Sequence, residues 1–127
     1  MKRWLGILIM ATAVLHTVVG LLLAAQPLLD VVQSGFFNAV DPHYDRKASV
    51  WFLLFGALLF LLGLFVQWSL NETGRLPVSV GWGFLMTCTI GVILMPISGI
   101  WLGVIEAVIM LRIAYKKPEN AGRMTAV

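Results

Sequence analysis

Charge is what this chain has least of. Of its 127 residues only nine are Lys or Arg and six are Asp or Glu, against 60% hydrophobic residues. A soluble domain of this length has no means of covering so much apolar surface with so few ionised side chains. Cysteine is nearly absent too: the lone Cys88 sits inside an apolar run, which excludes a disulfide framework and a cysteine metal site. There is no phosphate-binding glycine loop, no low-complexity segment and no clear internal repeat. The net charge of +3 is modest and the basic residues lie beside hydrophobic segments, so nucleic acid is not the expected partner. What the chain does have is hydrophobic length, with a mean hydropathy of +0.93. It reads as one all-α integral membrane domain over residues 1–127, with the lipid bilayer as its first partner.

A helix needs about 20 residues, at roughly 1.5 Å each, to cross the hydrocarbon of a bilayer. Apolar runs of that length occupy residues 4–25 and 48–70. A third run, from Leu76 to Leu111, is too long for one crossing, and "MPISG" at 95–99 breaks it near the middle. It therefore reads as a hairpin of two spans, 77–95 and 98–115, with Pro77 at its start and the polar turn "NETG" before it. The expected fold is a four-transmembrane-helix bundle with an amphipathic outer loop at 26–47 and a C-terminal tail at 116–127. Trp4, Trp51, Trp68, Trp82 and Trp101 fall near span ends, where aromatic side chains sit between lipid and water.

The Lys and Arg count sets the orientation. With both termini cytoplasmic, the inside holds Lys2, Arg3, Arg75, Arg112, Lys116, Lys117 and Arg123, and the outside only Arg46 and Lys47. The rival reading is a cleaved signal peptide, which "MKR", an apolar run and "LLLAAQ" imitate; the run exceeds the usual core of about 7–15 residues.

Two ionisable residues lie inside the spans. His16 falls about 18 Å from the start of the first helix and Glu106 about 13–14 Å from the end of the fourth, so their depths agree within about one turn. Ala13, His16, Thr17, Gly20 and Ala24 share a small, polar face, and Gly99, Gly103 and Ala107 form an i, i+4 stripe flanked by Glu106. A His16–Glu106 pair is the expected partnership, either ionic or neutral and hydrogen-bonded, with Thr17 beside it as a further ligand or proton-binding candidate. The blander role for the pair is helix–helix glue. Ser79, Gly83, Thr87 and Gly91 form another small-residue stripe, read as packing, as do Ser49, Gly56 and Gly63. Threonines in such helices commonly bond their own backbone.

The outer loop, "QPLLDVVQSGFFNAVDPHYDRK", is too apolar for a solvated linker and predicts a short helix on the membrane surface or over the bundle. In "DPHYD", Asp41, His43 and Asp45 alternate, a spacing that suits a divalent cation or a ligand mouth. Asp-Pro is equally a common turn opening, and Asp45-Arg46-Lys47 an ordinary interfacial charge cluster.

The stretches "GILIMATAVLHTVVGL", "GFFNAV", "WFLLFGALLFLLGLFVQW", "LPVSVGWGFL" and "GVILMPISGIWLGVIEAVIMLR" resemble a family of short bacterial four-span membrane proteins classed as a domain of unknown function. The resemblance covers the chain from Trp4 to Arg112 and implies a multi-pass bacterial inner-membrane protein. It assigns no activity, cofactor or catalytic residue. In size and span number the chain is also similar to DoxX-like membrane proteins, some of which accompany redox enzymes. It is similar in the same respects to small multidrug resistance transporters, whose essential glutamate lies in the first span, where this chain has His16.

Three functions compete. A non-enzymatic bundle that binds a small lipophilic ligand, or that serves a membrane partner protein or a second copy of itself, asks least of the residues present. A proton-coupled exporter would use Glu106 as its alternating carboxyl. An intramembrane acid–base enzyme would use His16 and Glu106 together, without a nucleophile or metal cluster to support them.

Overall fold

The computed structural model describes residues 2–116; the expected tail beyond Lys116 lies outside the described residues. After a short 3₁₀ turn, Lys2–Trp4, come α1 (Leu5–Leu23), α2 (Ala25–Gln33), α3 (Tyr44–Glu72), α4 (Val78–Leu94) and α5 (Ile100–Tyr115). Among the described residues there is no strand. Helices occupy all four segments read as spans, and the greasy loop contains the expected short helix as α2. Two of them, α1 and α3, are long and apolar enough to cross a membrane, with mean hydropathies of 2.3 and 2.5 in their best windows. α4 is apolar and slightly shorter, at 17 residues.

Local chemistry sets the boundaries. Pro27 has no N–H to offer the carbonyl of Leu23, so the helical ladder lapses at Ala24 and restarts as α2, with Pro27 in its first turn where no donor is needed. α2 ends at Ser34, whose hydroxyl donates to Asp30 O at 2.7 Å. The chain then turns through Gly35, Phe36 and Asn38, all at positive φ. α3 begins at Tyr44, ahead of its apolar run, because Asp45 in the first turn suits the positive end of the helix and Ser49 donates its hydroxyl to Asp45 O at 2.7 Å. Arg46 then ties the preceding loop down, donating to Ala39 O at 2.7 Å and to Ser34 Oγ at 3.2 Å.

The described chain forms two compact units, residues 9–63 and the remainder, with α1 and α3 contributing to both. In residues 9–63, α1 and α3 run antiparallel: Gly20 lies under the Phe52 ring and Gly56 under Thr17. In the other unit Gly6 lies directly against the backbone of Gln67, a helix crossing that leaves no room for a side chain. There too α4 and α5 pack as the expected hairpin. Gly81 faces Leu111, Gly103 faces Cys88 and Gly91 faces Ile100, a register that runs in opposite directions along the two helices. Ser98 Oγ donates to Met95 O at 2.7 Å and Trp101 Nε1 to Pro96 O at 3.0 Å, closing the "MPISG" turn.

This register corrects one expectation. Ser79, Gly83 and Thr87 are exposed, and a Cβ on Gly83 would meet nothing within 4 Å. Of that stripe only Gly91 packs, against Ile100, and the packed face of α4 carries Gly81 and Cys88 with it. In α5 the expected stripe packs at Gly103 and Ala107, whereas Gly99 stands in open space as the residue preceding the helix.

Candidate functional site

His16, the first of the candidates in the apolar helices, is half-buried on α1. Its ring stacks on Phe52 at a centroid distance of 3.9 Å and meets Phe55 edge-on at 5.5 Å. Nε2 lies 3.0 Å from Phe52 O. A carbonyl oxygen only accepts, so Nε2 carries the proton and, in a neutral ring, Nδ1 is the acceptor. Gly56 makes this approach possible: a Cβ there would fall 2.6 Å from Thr17 Oγ1 and 3.1 Å from His16 Cδ2. Gly56 packs as the small-residue stripe of this helix predicted, whereas Phe52 was not singled out by sequence reasoning, although an aromatic residue one turn before a glycine is the spacing such a site requires.

Thr17, also half-buried, donates to Ala13 O at 2.9 Å, the self-satisfied arrangement expected for a membrane-type helix. Its oxygen keeps its capacity to accept. It borders a lateral groove of about 510 Å³ between α1 and α3, whose other walls include Val14, Val18, Leu53, Ala57 and Phe60. Thr17 is the one residue of that lining with a side-chain hydrogen-bonding group.

Glu106 lies in the other compact unit and is described with its own neighbours. It is fully buried, as are Ala107 and Met110 on the same helix. The Cys88 thiol on α4 sits against Gly103 and within electrostatic reach of the Glu106 carboxyl. Neither groove described here has Glu106 in its wall. Its burial beside the Gly103–Ala107 stripe is what an element of hairpin packing requires.

Each outer-loop candidate has a local role of its own. Asp41 is ion-paired with Lys47, whose ammonium also lies 5.5 Å from the Tyr44 ring centroid. His43 is exposed and its backbone N–H closes a turn to Val40 O at 2.9 Å, while Asp45 opens α3. Among the described residues no group of three His, Cys, Asp or Glu side chains is placed to hold a metal ion.

Sequence reasoning also missed a group at the end of the α4–α5 hairpin. Trp82, Val108, Leu111, Arg112, Tyr115 and Lys116 line a groove of about 440 Å³. Trp82 Nε1 donates to Tyr115 Oη at 3.0 Å. The available signal was Arg112 and Lys116 at i, i+4 around an aromatic residue.

An all-helical chain, two of whose helices can cross a membrane, with a buried carboxylate and a half-buried imidazole, is the class these features define. Within it, the chain matches the family of unknown function DUF6463 over residues 1–117 and belongs to that family. No curated protein and no solved structure matches it.

Proposed function

We propose that this is a bacterial inner-membrane protein of four spans, with both termini cytoplasmic, that binds a small lipophilic molecule in the lateral groove between α1 and α3. The membrane part rests on outward-facing apolar surface: the best windows of α1 and α3 are each only 28% buried, which is unlike the core helices of a soluble protein. All five tryptophans are about half exposed or more, as belt residues at a lipid–water boundary are. The seven-to-two distribution of Lys and Arg supports the orientation.

The groove is the observation that carries the binding function. Its size falls within the range of roughly 300–1,000 Å³ typical of ligand pockets, and its walls are apolar apart from one hydroxyl. Because the Thr17 proton is already given to Ala13 O, the groove offers an acceptor rather than a donor. A lipophilic molecule carrying one hydroxyl suits it better than a ketone. The exporter and acid–base readings both need a carboxyl that solvent or substrate can reach, and the complete burial of Glu106 favours a packing role over either.

The test is photolabelling of the detergent-purified protein with a diazirine-bearing long-chain alcohol. Labelling should concentrate on the peptides around Thr17 and Leu53–Phe60 and be lost in Ala57→Trp, which fills the groove. Labelling spread evenly over every exposed apolar face would remove the binding function. Orientation is tested separately, by thiol accessibility of cysteines placed at Asp30 and Glu72 in a Cys88→Ser background: outer-side labelling at 30 and inner-side labelling at 72 are expected.

A further inference from the structure

The groove at the end of the α4–α5 hairpin differs in chemistry from the one between α1 and α3. Its inner wall is apolar, formed by Val108 and Leu111, and its rim carries two cations, Arg112 and Lys116, one helical turn apart. Both are exposed, and among the described residues neither is ion-paired with a carboxylate. The Tyr115 hydroxyl accepts from Trp82 Nε1, which leaves its own proton available to another acceptor. Guanidinium, ammonium and phenol are therefore all donors, and the groove lining contributes no acidic side chain. Trp82 and Tyr115 are 52% and 63% exposed, the half-immersed state of side chains at headgroup level.

We infer that this groove is a binding site for one anionic phospholipid, whose phosphate is held by Arg112, Lys116 and the Tyr115 hydroxyl while an acyl chain lies along Val108 and Leu111. The inference rests on the membrane reading given above, and in that orientation the site faces the cytoplasmic leaflet. A zwitterionic choline lipid satisfies the apolar wall equally well, but its quaternary ammonium meets two positive charges and no compensating carboxylate. Cations in the last turn also offset the negative end of the α5 dipole, which makes a phosphate tolerable there. That dipole role alone requires neither the apolar wall nor a phenol whose proton the Trp82 bond leaves available.

Native mass spectrometry of the detergent-purified full chain tests the site, with dioleoylphosphatidylglycerol, dioleoylphosphatidylcholine and inorganic phosphate as probes. The wild type should retain one phosphatidylglycerol in preference to phosphatidylcholine. Each charge removed should weaken that retention about fivefold, so the double variant Arg112→Gln/Lys116→Gln should lose about 25-fold with phosphatidylcholine binding unchanged. Both side chains are exposed, so the variant should fold; an unaltered circular dichroism spectrum and elution volume verify this before its lipid binding is read. Equal retention of the two lipids by the wild type, or full retention by the folded double variant, would overturn the site. Displacement of phosphatidylglycerol by millimolar phosphate would show a phosphate site rather than a lipid site, and overturn it as well. A chain that purifies from membranes only with detergent yet shows no lipid preference would sink this inference and leave the membrane reading standing. A chain soluble without detergent would remove both.

Discussion

Replacing Gly6 with alanine puts the tightest helix crossing under test. A Cβ at that position would fall 2.5 Å from Gln67 Cβ, 2.6 Å from its backbone N and 2.7 Å from its Cα. Carbon atoms rest at roughly 3.5–4.0 Å, so the two helices must separate locally by about 1 Å. Two of the three atoms belong to the backbone and cannot rotate away. Overpacking of this kind costs about 1–3 kcal/mol, and alanine's better helix propensity returns at most about 1 kcal/mol. The expected net effect is a loss of about 1–2 kcal/mol. Gly83→Ala is the control, since its Cβ would meet nothing within 4 Å and only the propensity gain remains. Thermal unfolding followed by circular dichroism in detergent should place Gly6→Ala below wild type and Gly83→Ala at or slightly above it. A Gly6→Ala variant as stable as wild type would refute the close crossing.

Three further outcomes follow from named contacts. Glu106→Ala should cost about 1–3 kcal/mol in the same unfolding assay, because it removes a fully buried polar side chain and strands whatever it bonds; an unchanged midpoint would reopen the functional readings of that acid. Cys88, 6% exposed, should resist a maleimide in the folded protein and react only on denaturation, so rapid labelling of the native protein would contradict the α4–α5 packing. Arg46→Met should leave the helices intact but free the loop at 34–43, raising its cleavage by an added protease; equal cleavage of the two proteins would mean that the Arg46 bonds to Ala39 O and Ser34 do not hold it.

Hydrophobic run length made the helices legible but not their ends. α3 starts four residues before the apolar run because an acid and a back-bonding serine hold its first turn, and neither contributes hydropathy. α2 was visible as a greasy loop between turn residues, and Pro27 explains why it is separate from α1. The small-residue stripes were legible as a type and unreliable as a face. Gly103, Ala107 and Gly91 pack as read, whereas the rest of the α4 stripe is open at Gly83 and α4 turns Gly81 and Cys88 to α5, because both faces of α4 offer small residues and only a partner chooses between them. For the candidate site, depth along a helix identified His16 and Glu106 as interior. It could not supply Phe52 O as the imidazole's acceptor, since backbone carbonyls carry no sequence signal.

Backbone carbonyls absorb the hydroxyl protons of several threonines on these helices, and that has a functional consequence. Thr17, Thr87 and Thr89 each donate to the carbonyl four residues earlier, at 2.9, 2.9 and 2.7 Å. Thr87 and Thr89 do so although they are exposed, where water would otherwise serve. In hydrocarbon no water is on hand, and a hydroxyl must be satisfied by its own helix; these threonines meet that requirement, although Ser34 and Thr73, outside the apolar runs, bond the same way. Each hydroxyl bound this way has spent its proton and retains only acceptor capacity. The Tyr115 phenol is the reverse case: Trp82 occupies its acceptor side and leaves its proton available. The two grooves should therefore differ in the sign of their polarity, the α1–α3 groove taking a ligand that donates and the α4–α5 groove one that accepts.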